Sequence, residues 1–187
     1  LGPLGEVRRE LDEQSVEQAG QRLKAAGVEA VAISLLHAYA NPDHERRVAE
    51  ILRQHLESAF ITCSSDILPL IREYERTSTT VINAYLGPIL ERYFVSLSRH
   101  LGKAGIRAPL QVMKSDGGTM SLAAAAERPA YIVESGPAAG VIGAAEVAKM
   151  SAGPDCITLD MGGTTAKAAM VEEGRVAKTG DYEVGAG

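Results

Sequence analysis

The stretch DMGGTT at positions 160–165 decides the fold of this chain. It is preceded by the apolar run CITL at 156–159 and followed, after two residues, by the apolar run AAMV at 168–171. Short apolar runs on both sides of a Gly-Gly pair predict two strands joined by a tight turn. A second turn is expected at Glu173 and Gly174, so the C-terminal segment is predicted to be a β-meander.

The residues of the first turn have the chemistry to hold a phosphate group. Gly162 and Gly163 let successive backbone N–H groups face an anion with no Cβ in the way. The hydroxyls of Thr164 and Thr165 can donate to phosphate oxygens. The Asp160 carboxylate can hold Mg²⁺ through water or orient an attacking water. Taken alone, these six residues fit slightly better a hairpin that needs glycine only for its turn.

The segment ESGPAAGVIG at 134–143 shifts that balance toward a binding site. Small residues at positions 136, 139, 140 and 143 give the helix predicted over 137–150 a nearly bare face. Each glycine inside a helix costs about 1 kcal/mol relative to alanine, so this composition indicates close packing of another backbone, or a pivot. A core helix built of small residues is the structural alternative, and it is compatible with close packing.

The upstream sequence alternates between helical and strand-like patterns, which predicts an α/β domain with a largely parallel sheet. Helix and strand alternate over 15–26, 28–36, 42–56 and 60–63, and a long helical pattern follows over 72–102. Gly87 and Pro88 interrupt the long pattern, which predicts a kink or two abutting helices. Shorter strands are predicted at 109–113 and 131–133.

Composition narrows the classes of function. The 187 residues are 45% hydrophobic and 23% charged, with a net charge of −5, as in a soluble globular protein. The absence of a basic stripe with aromatic residues argues against nucleic-acid binding, and no apolar run is long enough to span a membrane. Cys63 and Cys156 lie singly in apolar runs, which indicates buried thiols in a reducing compartment, the cytoplasm by default. No zinc site is expected.

The order of these features resembles that of the actin-like ATPases, which include sugar kinases and heat-shock chaperones. The resemblance implies a ribonuclease H-like α/β lobe, with a mixed sheet and flanking helices, in which the small-residue helix connects two lobes. It also implies that the Gly-Gly turn is the second of two phosphate-binding hairpins. ATP phosphates and Mg²⁺ would then be bound by Asp160, Gly162, Gly163, Thr164, Thr165, Ser135 and Gly136. Glu134 would lie near the metal and its waters and would share the catalytic role with Asp160, the metal-binding residue.

Three further stretches are similar to the hydantoinase A/oxoprolinase family: REYERTSTTVINAYL at 72–86, MKSDGG at 113–118 and SGPAAGV at 135–141. This resemblance implies ATP-dependent opening of a cyclic amide or imide, such as a hydantoin or oxoproline, through phosphorylation of a carbonyl or carboxylate oxygen. Some members of the family are instead subunits of ATP-dependent ketone carboxylases. A second large subunit is expected as a partner.

The resemblance also suggests two substrate residues, Arg72 and Asp116, for which ordinary structural roles compete. Arg72 lies three residues before Glu75, a spacing that forms solvated ion pairs on helices. Asp116 lies in the run SDGG at 115–118, which a tight β-turn explains equally well.

Lys167 departs from the family pattern, because many relatives carry an aspartate at this position. One hypothesis is that Lys167 takes part in nucleotide binding, because its ammonium supplies near the phosphates a positive charge that relatives obtain from a bound cation. The alternative is that the side chain extends to solvent, and the sequence ranks neither above the other.

The resemblance places 1–150 at the end of a first lobe, with a junction of family blocks near 58, and 151–187 at the start of a second lobe. The chain begins at Leu1 and ends in a glycine-rich stretch, so it is expected to be an internal piece. The first phosphate hairpin is then expected before Leu1 and the adenosine pocket after Gly187. Two further functions stay open, namely a different phosphotransferase of this fold, such as a sugar kinase, and a non-catalytic interaction module.

Overall fold

The computed structural model describes residues 1–151, 153–163 and 166–177. The chain forms two compact units. One contains residues 1–109 and 122–130, and the other contains residues 110–121 and the chain from Tyr131 onward. These units do not divide at residue 150, because the helix before that position packs on the strands after it. The assignment of 1–150 and 151–187 to two lobes of a larger protein stays a prediction.

The first unit is an α/β arrangement around a two-stranded parallel sheet. Its strands are β1 (Ala30–Ile33) and β2 (Phe60–Cys63), paired with Ala30 opposite Phe60. Its helices are α1 (Glu13–Ala25), α2 (Asp43–His55), α3 (Ser64–Ile67), α4 (Glu73–Lys103) and α5 (Leu122–Glu127). The predicted helix–strand alternation and the parallel pairing are confirmed.

The core of this unit lies where α1 and α2 pack against the sheet. Its buried members are apolar residues at helical and strand spacing, namely Val16, Ile33, Ala49, Ile51, Leu52 and Cys63. Burying each valine, isoleucine or leucine side chain of this set contributes roughly 1.5–3 kcal/mol relative to leaving it exposed. The apolar faces of α1 and α2 therefore hold both helices on the sheet.

The strand predicted over 28–36 is confirmed only at its centre, because β1 ends at Ile33. Beyond it, the Leu35 N–H donates to Glu45 Oε1 at 2.8 Å instead of to a neighbouring strand. Glu45 is fully buried, so its carboxylate replaces water for this peptide group.

The helix α4 runs from Glu73 to Lys103 without interruption, so the alternative of two abutting helices is wrong, and a kink at Gly87 and Pro88 stays a prediction. Gly87 is buried, and a Cβ placed on it would come within 2.4 Å of the Phe60 ring. Glycine is required here because α4 approaches β2 closely, which the sequence pattern did not reveal.

Asn83 of α4 fixes the segment that returns to this unit after residue 121. Its side chain is fully buried, and Nδ2 donates to Thr62 Oγ1 at 3.1 Å and to the Glu127 carbonyl at 3.2 Å. Its Oδ1 accepts from the Ala130 N–H at 3.0 Å. The amide thus satisfies groups from β2, from the end of α5 and from the turn that follows.

The second unit contains two antiparallel sheets and one helix. A hairpin is formed by β3 (Gln111–Met113) and β4 (Thr119–Ser121). The helix α6 (Ser135–Ser151) precedes the meander of β5 (Cys156–Met161), β6 (Ala166–Glu172) and β7 (Arg175–Val176). The predicted helix and meander are confirmed.

The strand predicted at 131–133 is wrong. Residues Pro129–Ile132 form a 3-10 turn, and the carbonyls of Tyr131 and Val133 accept hydrogen bonds from Ser115. The β-branched pair at 132–133 favours an extended strand, but a side chain takes up the carbonyls that a strand would offer to a neighbour.

In the part of the chain that the structure describes, no helix is both long enough and apolar enough to cross a membrane.

Candidate functional site

The hairpin of β5 and β6 presents the Gly-Gly turn at one end of the meander. Asp160 lies directly opposite Lys167, and Met161 lies opposite Ala166, which leaves positions 162–165 as the connection. Gly162 and Gly163 are exposed, and a Cβ placed on Gly163 would meet nothing within 4 Å. Thr164 and Thr165 lie outside the described residues. The backbone at the two glycines is therefore accessible to an approaching anion.

Glu134 stands at the entrance to α6 in an unusual backbone conformation. Its φ of +63° lies in the left-handed region, which residues with a side chain rarely adopt. Its carbonyl accepts from the Ala138 N–H at 3.3 Å, so the residue initiates the helix. Such conformations cost of order 1–3 kcal/mol and persist where the surrounding structure fixes them, often at functional sites.

Lys167 and Glu134 form an ion pair, which joins the strand β6 to the start of α6. The side chains are 35% and 34% exposed, respectively. Because Asp160 lies opposite Lys167, three of the predicted site residues share one neighbourhood within the second unit. The Lys167 ammonium is paired with a carboxylate, so its side chain does not simply extend to solvent.

Ser115 is not among the predicted site residues, yet it braces the segment that leads to Glu134. Its N–H donates to the Tyr131 carbonyl at 2.8 Å, and its hydroxyl lies 2.9 Å from the same carbonyl. The hydroxyl also hydrogen-bonds the Val133 carbonyl. The only sequence signal for this role is the membership of Ser115 in the stretch MKSDGG, one of the three family-like stretches.

Asp116 shapes the turn between β3 and β4. Its Oδ1 accepts from the Gly118 N–H at 2.8 Å, and its Oδ2 lies 2.7 Å from Lys114 Nζ. The neighbouring Gly117 has φ +84°, and a Cβ there would come within 2.3 Å of Ile142 on α6. Asp116 thus stabilises the turn between β3 and β4. A substrate role for this residue stays a prediction.

The remaining predicted residues lie at two places. Ser135 and Gly136 begin α6, and a Cβ on Gly136 would meet nothing within 4 Å. Arg72 belongs to the first unit, where it is exposed and its Nη1 lies 3.5 Å from Glu75 Oε1. A substrate role for Arg72 stays a prediction.

The donor set fits a hydrated Mg²⁺ and a phosphate chain. Within residues 1–151, 153–163 and 166–177, no three His, Cys, Asp or Glu side chains gather as metal ligands. Mg²⁺ keeps several waters and needs one or two carboxylates beside phosphate oxygens, which Asp160 and Glu134 can supply. An ammonium such as that of Lys167 and exposed backbone at glycines suit phosphate oxygens.

Comparison with known proteins establishes the family to which this chain belongs. Residues 76–187 match the hydantoinase/oxoprolinase family, and residues 3–56 match the N-terminal region of that family. The chain is a member of the hydantoinase/oxoprolinase family.

Two relatives are similar to most of this chain. An uncharacterized protein of Methanocaldococcus jannaschii is 40% identical over 97% of this chain and 27% of its own length. The caprolactamase subunit alpha of Pseudomonas jessenii is 35% identical over 88% of this chain and 24% of its own length. The chain thus spans about a quarter of the length of these relatives.

Solved structures agree with this membership. The crystal structure of the ATP-dependent caprolactamase from Pseudomonas jessenii has a TM-score of 0.81 and 34% identity, covering 91% of this chain and 25% of that one. The nucleotide-free structure of acetone carboxylase, from work on ATP-dependent acetone carboxylation, has a TM-score of 0.81 and 31% identity, covering 92% and 25%. The mixed α/β fold of this chain is therefore shared with ATP-dependent enzymes.

Proposed function

We propose that the chain is part of an ATP-dependent enzyme that opens a cyclic amide or imide of the hydantoin or oxoproline type. The enzyme would have the actin-like, two-lobed fold, with α6 as the helix between the lobes and the meander at the start of the second lobe. A cytoplasmic location and a second large subunit are part of the proposal. The caprolactamase relative supports the subunit, because its name identifies it as subunit alpha.

The observation that carries this proposal is the ion pair between Lys167 and Glu134. It brings the start of α6 to the hairpin that ends in Gly162 and Gly163, so one neighbourhood holds two carboxylates, an ammonium and exposed glycine backbone. A structural hairpin with a glycine turn requires none of these charged groups. The combination favours a nucleotide site over the non-catalytic alternative.

The residues of the chain have distinct roles in this proposal. When bound, ATP would supply the phosphoryl group that converts a carbonyl oxygen of the ring into a leaving group. Asp160 and Glu134 would orient the water shell of Mg²⁺. Lys167 and the backbone at the glycines would hold phosphate oxygens and stabilise negative charge. Fixed groups of this kind act by positioning and by electrostatic preorganisation.

The same site supports a second candidate, the ATP-binding subunit of a ketone carboxylase. The specific observation in its favour is the similarity to acetone carboxylase, with a TM-score equal to that of caprolactamase. Both reactions use ATP to activate an oxygen, so the phosphate-binding residues do not separate them.

Product analysis with the full-length protein tests the proposal. Mg-ATP binding is measured by calorimetry, and ADP release is then followed with hydantoin, 5-oxoproline, caprolactam, or a ketone plus bicarbonate. We expect ring-opened product in step with ADP for a cyclic amide. Carboxylated product would select the second candidate, and a folded protein that binds no Mg-ATP would overturn both.

Substitution of Asp160 links the activity to the turn. We expect Asp160→Asn to lower kcat by roughly 100-fold or more, because a preorganised charge at the reacting group is lost. The matched control is Glu172→Gln, an exposed carboxylate on β6 opposite Arg175, at the other end of the hairpin. Equal loss in both variants would contradict a specific role for Asp160.

A further inference from the structure

The Lys167–Glu134 pair joins a shorter side chain on a braced turn to a longer and more flexible side chain on a strand. The backbone of Glu134 is held by its helix bond to Ala138, and the preceding carbonyls are held by Ser115. Lys167, in contrast, carries its charge on a flexible four-carbon stem with three rotatable donors. A change of partner at this pair would therefore displace the ammonium farther than the carboxylate.

The pair is also weak enough to exchange. Both side chains are about one third exposed, and ion pairs with that access to water contribute little to stability. A phosphate chain offers several charged oxygens, so it competes well with a single carboxylate for an ammonium. Asp160, opposite Lys167 on the neighbouring strand, adds a second negative charge that such a chain must approach.

We propose that Glu134 holds Lys167 in the absence of nucleotide and that phosphate binding transfers the ammonium from Glu134 to the nucleotide. The transfer frees the Glu134 carboxylate for the water shell of the metal. Lys167 thereby couples phosphate binding to the exposure of a metal-orienting carboxylate. This inference rests on the proposed nucleotide site.

Nucleotide binding without metal isolates the competition between Glu134 and phosphate. The dissociation constant of ATP is measured in EDTA for the full-length wild type, Glu134→Gln, Lys167→Met and the double variant. We expect Glu134→Gln to bind about 10-fold more tightly, because the ammonium is already free, and Lys167→Met to bind about 10-fold more weakly. In the Lys167→Met background, adding Glu134→Gln is expected to tighten ATP binding much less than it does in the wild type, because its effect acts through Lys167.

Magnesium provides a second readout. With Mg²⁺ present, we expect Glu134→Gln to bind ATP no more tightly than the wild type, because the carboxylate then contributes to the metal site. Lys167→Arg retains the charge and is expected to restore most of the affinity that Lys167→Met loses. Thermal unfolding of each variant confirms that it is folded.

Glu146 and Lys149 provide matched controls on the same helix. They form an ion pair at 2.6 Å three residues apart on α6, and both side chains are more exposed than those of the proposed pair. We expect Glu146→Gln and Lys149→Met to change the dissociation constant by less than about two-fold, since surface pairs of this kind act locally.

Failure of the proposed transfer of the Lys167 ammonium can be distinguished from failure of the proposed function. If Glu134→Gln does not tighten metal-free binding, or if its gain is the same in the Lys167→Met background, the transfer is wrong while the nucleotide site stands. If the folded wild type binds ATP neither with nor without Mg²⁺, the proposed function is wrong and the transfer falls with it.

Discussion

The fully buried side chains of Glu45 and Arg76 are joined by the hydroxyl of Ser64, which donates to Glu45 Oε1 at 2.6 Å and accepts from Arg76 Nε at 3.1 Å. Their other hydrogen-bond partners are backbone groups: the N–H groups of Leu35 and Ser65 for Glu45, and the carbonyls of Leu35 and Leu70 for Arg76. This network ties α2 and α4 to the ends of both parallel strands.

Breaking the network by removing one charge is expected to destabilise the chain strongly. In Arg76→Met, the Glu45 carboxylate stays buried without its compensating guanidinium, and the two carbonyls lose their donor. We expect the free energy of unfolding in urea to fall by about 3–5 kcal/mol. The exposed Arg72, replaced by methionine in the same helix region, is expected to cost less than about 1 kcal/mol. Similar losses in both variants would show that the buried network contributes no special stability.

Cys63 makes the free energy of unfolding depend on pH in the alkaline range. Cys63 is 3% exposed, and burial of its thiol, with a smaller contribution from Glu45, raises the pKa to about 12. In the unfolded chain its pKa is about 8.5. Above that value the unfolded state releases the proton while the folded state keeps it, so the free energy of unfolding falls by up to about 1.4 kcal/mol per pH unit. Below it, Cys63 contributes no pH dependence.

Comparison of the wild type with Cys63→Ala checks this expectation. The difference in unfolding free energy between the two proteins is expected to be constant from pH 6 to 8. From pH 8 to pH 10, the unfolding free energy of the wild type should fall by about 2 kcal/mol relative to that of Cys63→Ala. At pH 10 the solution is about one and a half units above the pKa of the unfolded thiol. Cys156→Ala serves as the control, because that thiol is only partly buried. Parallel stability curves for wild type and Cys63→Ala over the whole range would contradict the prediction.

Helices and strands with regular patterns were predictable from sequence, whereas contacts between distant residues were not. The turn at Gly162 and Gly163 and the helix before it follow from local composition. The ion pair of Lys167 with Glu134 joins residues 33 positions apart, and no local pattern encodes such a contact. Arg76 illustrates the same limit, because an arginine beside glutamates has the sequence pattern of a solvated helix face.

The failed prediction at 131–133 has a related cause. Strand propensity measures how well a residue fits a pleated surface with neighbours, and here Ser115 takes up the carbonyls of Tyr131 and Val133. Gly87 is the converse case. The pair Gly87 and Pro88 predicts a kink or two abutting helices, but α4 is one continuous helix, and the glycine allows the Phe60 ring to approach it closely.

Removing the Ser115 hydroxyl is expected to loosen the segment before Glu134. In Ser115→Ala the N–H bond to Tyr131 remains, but the single hydroxyl proton that the Tyr131 and Val133 carbonyls share is lost. We expect a loss of about 1 kcal/mol in unfolding free energy and faster hydrogen exchange at Glu134 and Ser135. Ser115→Thr, which keeps the hydroxyl, should preserve most of the protection. Unchanged exchange in Ser115→Ala would show that the backbone bond alone positions Glu134.

One face of the β5–β6 hairpin is apolar and open to solvent. Alternate positions on the two strands place exposed apolar side chains on that face, with Ile157 79%, Met161 71%, Leu159 66% and Met170 58% exposed. The opposite face includes Val171, which is buried. Contiguous apolar surface of this kind promotes association of a soluble chain.

We therefore expect the 187-residue chain to self-associate at micromolar concentrations and to bind a hydrophobic dye such as ANS. The double variant Ile157→Thr/Leu159→Thr keeps residues of good strand propensity while removing apolar surface, and it is expected to lower dye fluorescence roughly two-fold and to shift the chain toward monomer. Val147→Thr removes a single exposed apolar side chain from α6, outside the hairpin, and should change neither property measurably. Sedimentation velocity and dye titration measure both effects. A wild-type chain that is monomeric and binds no dye would show that this face does not drive association.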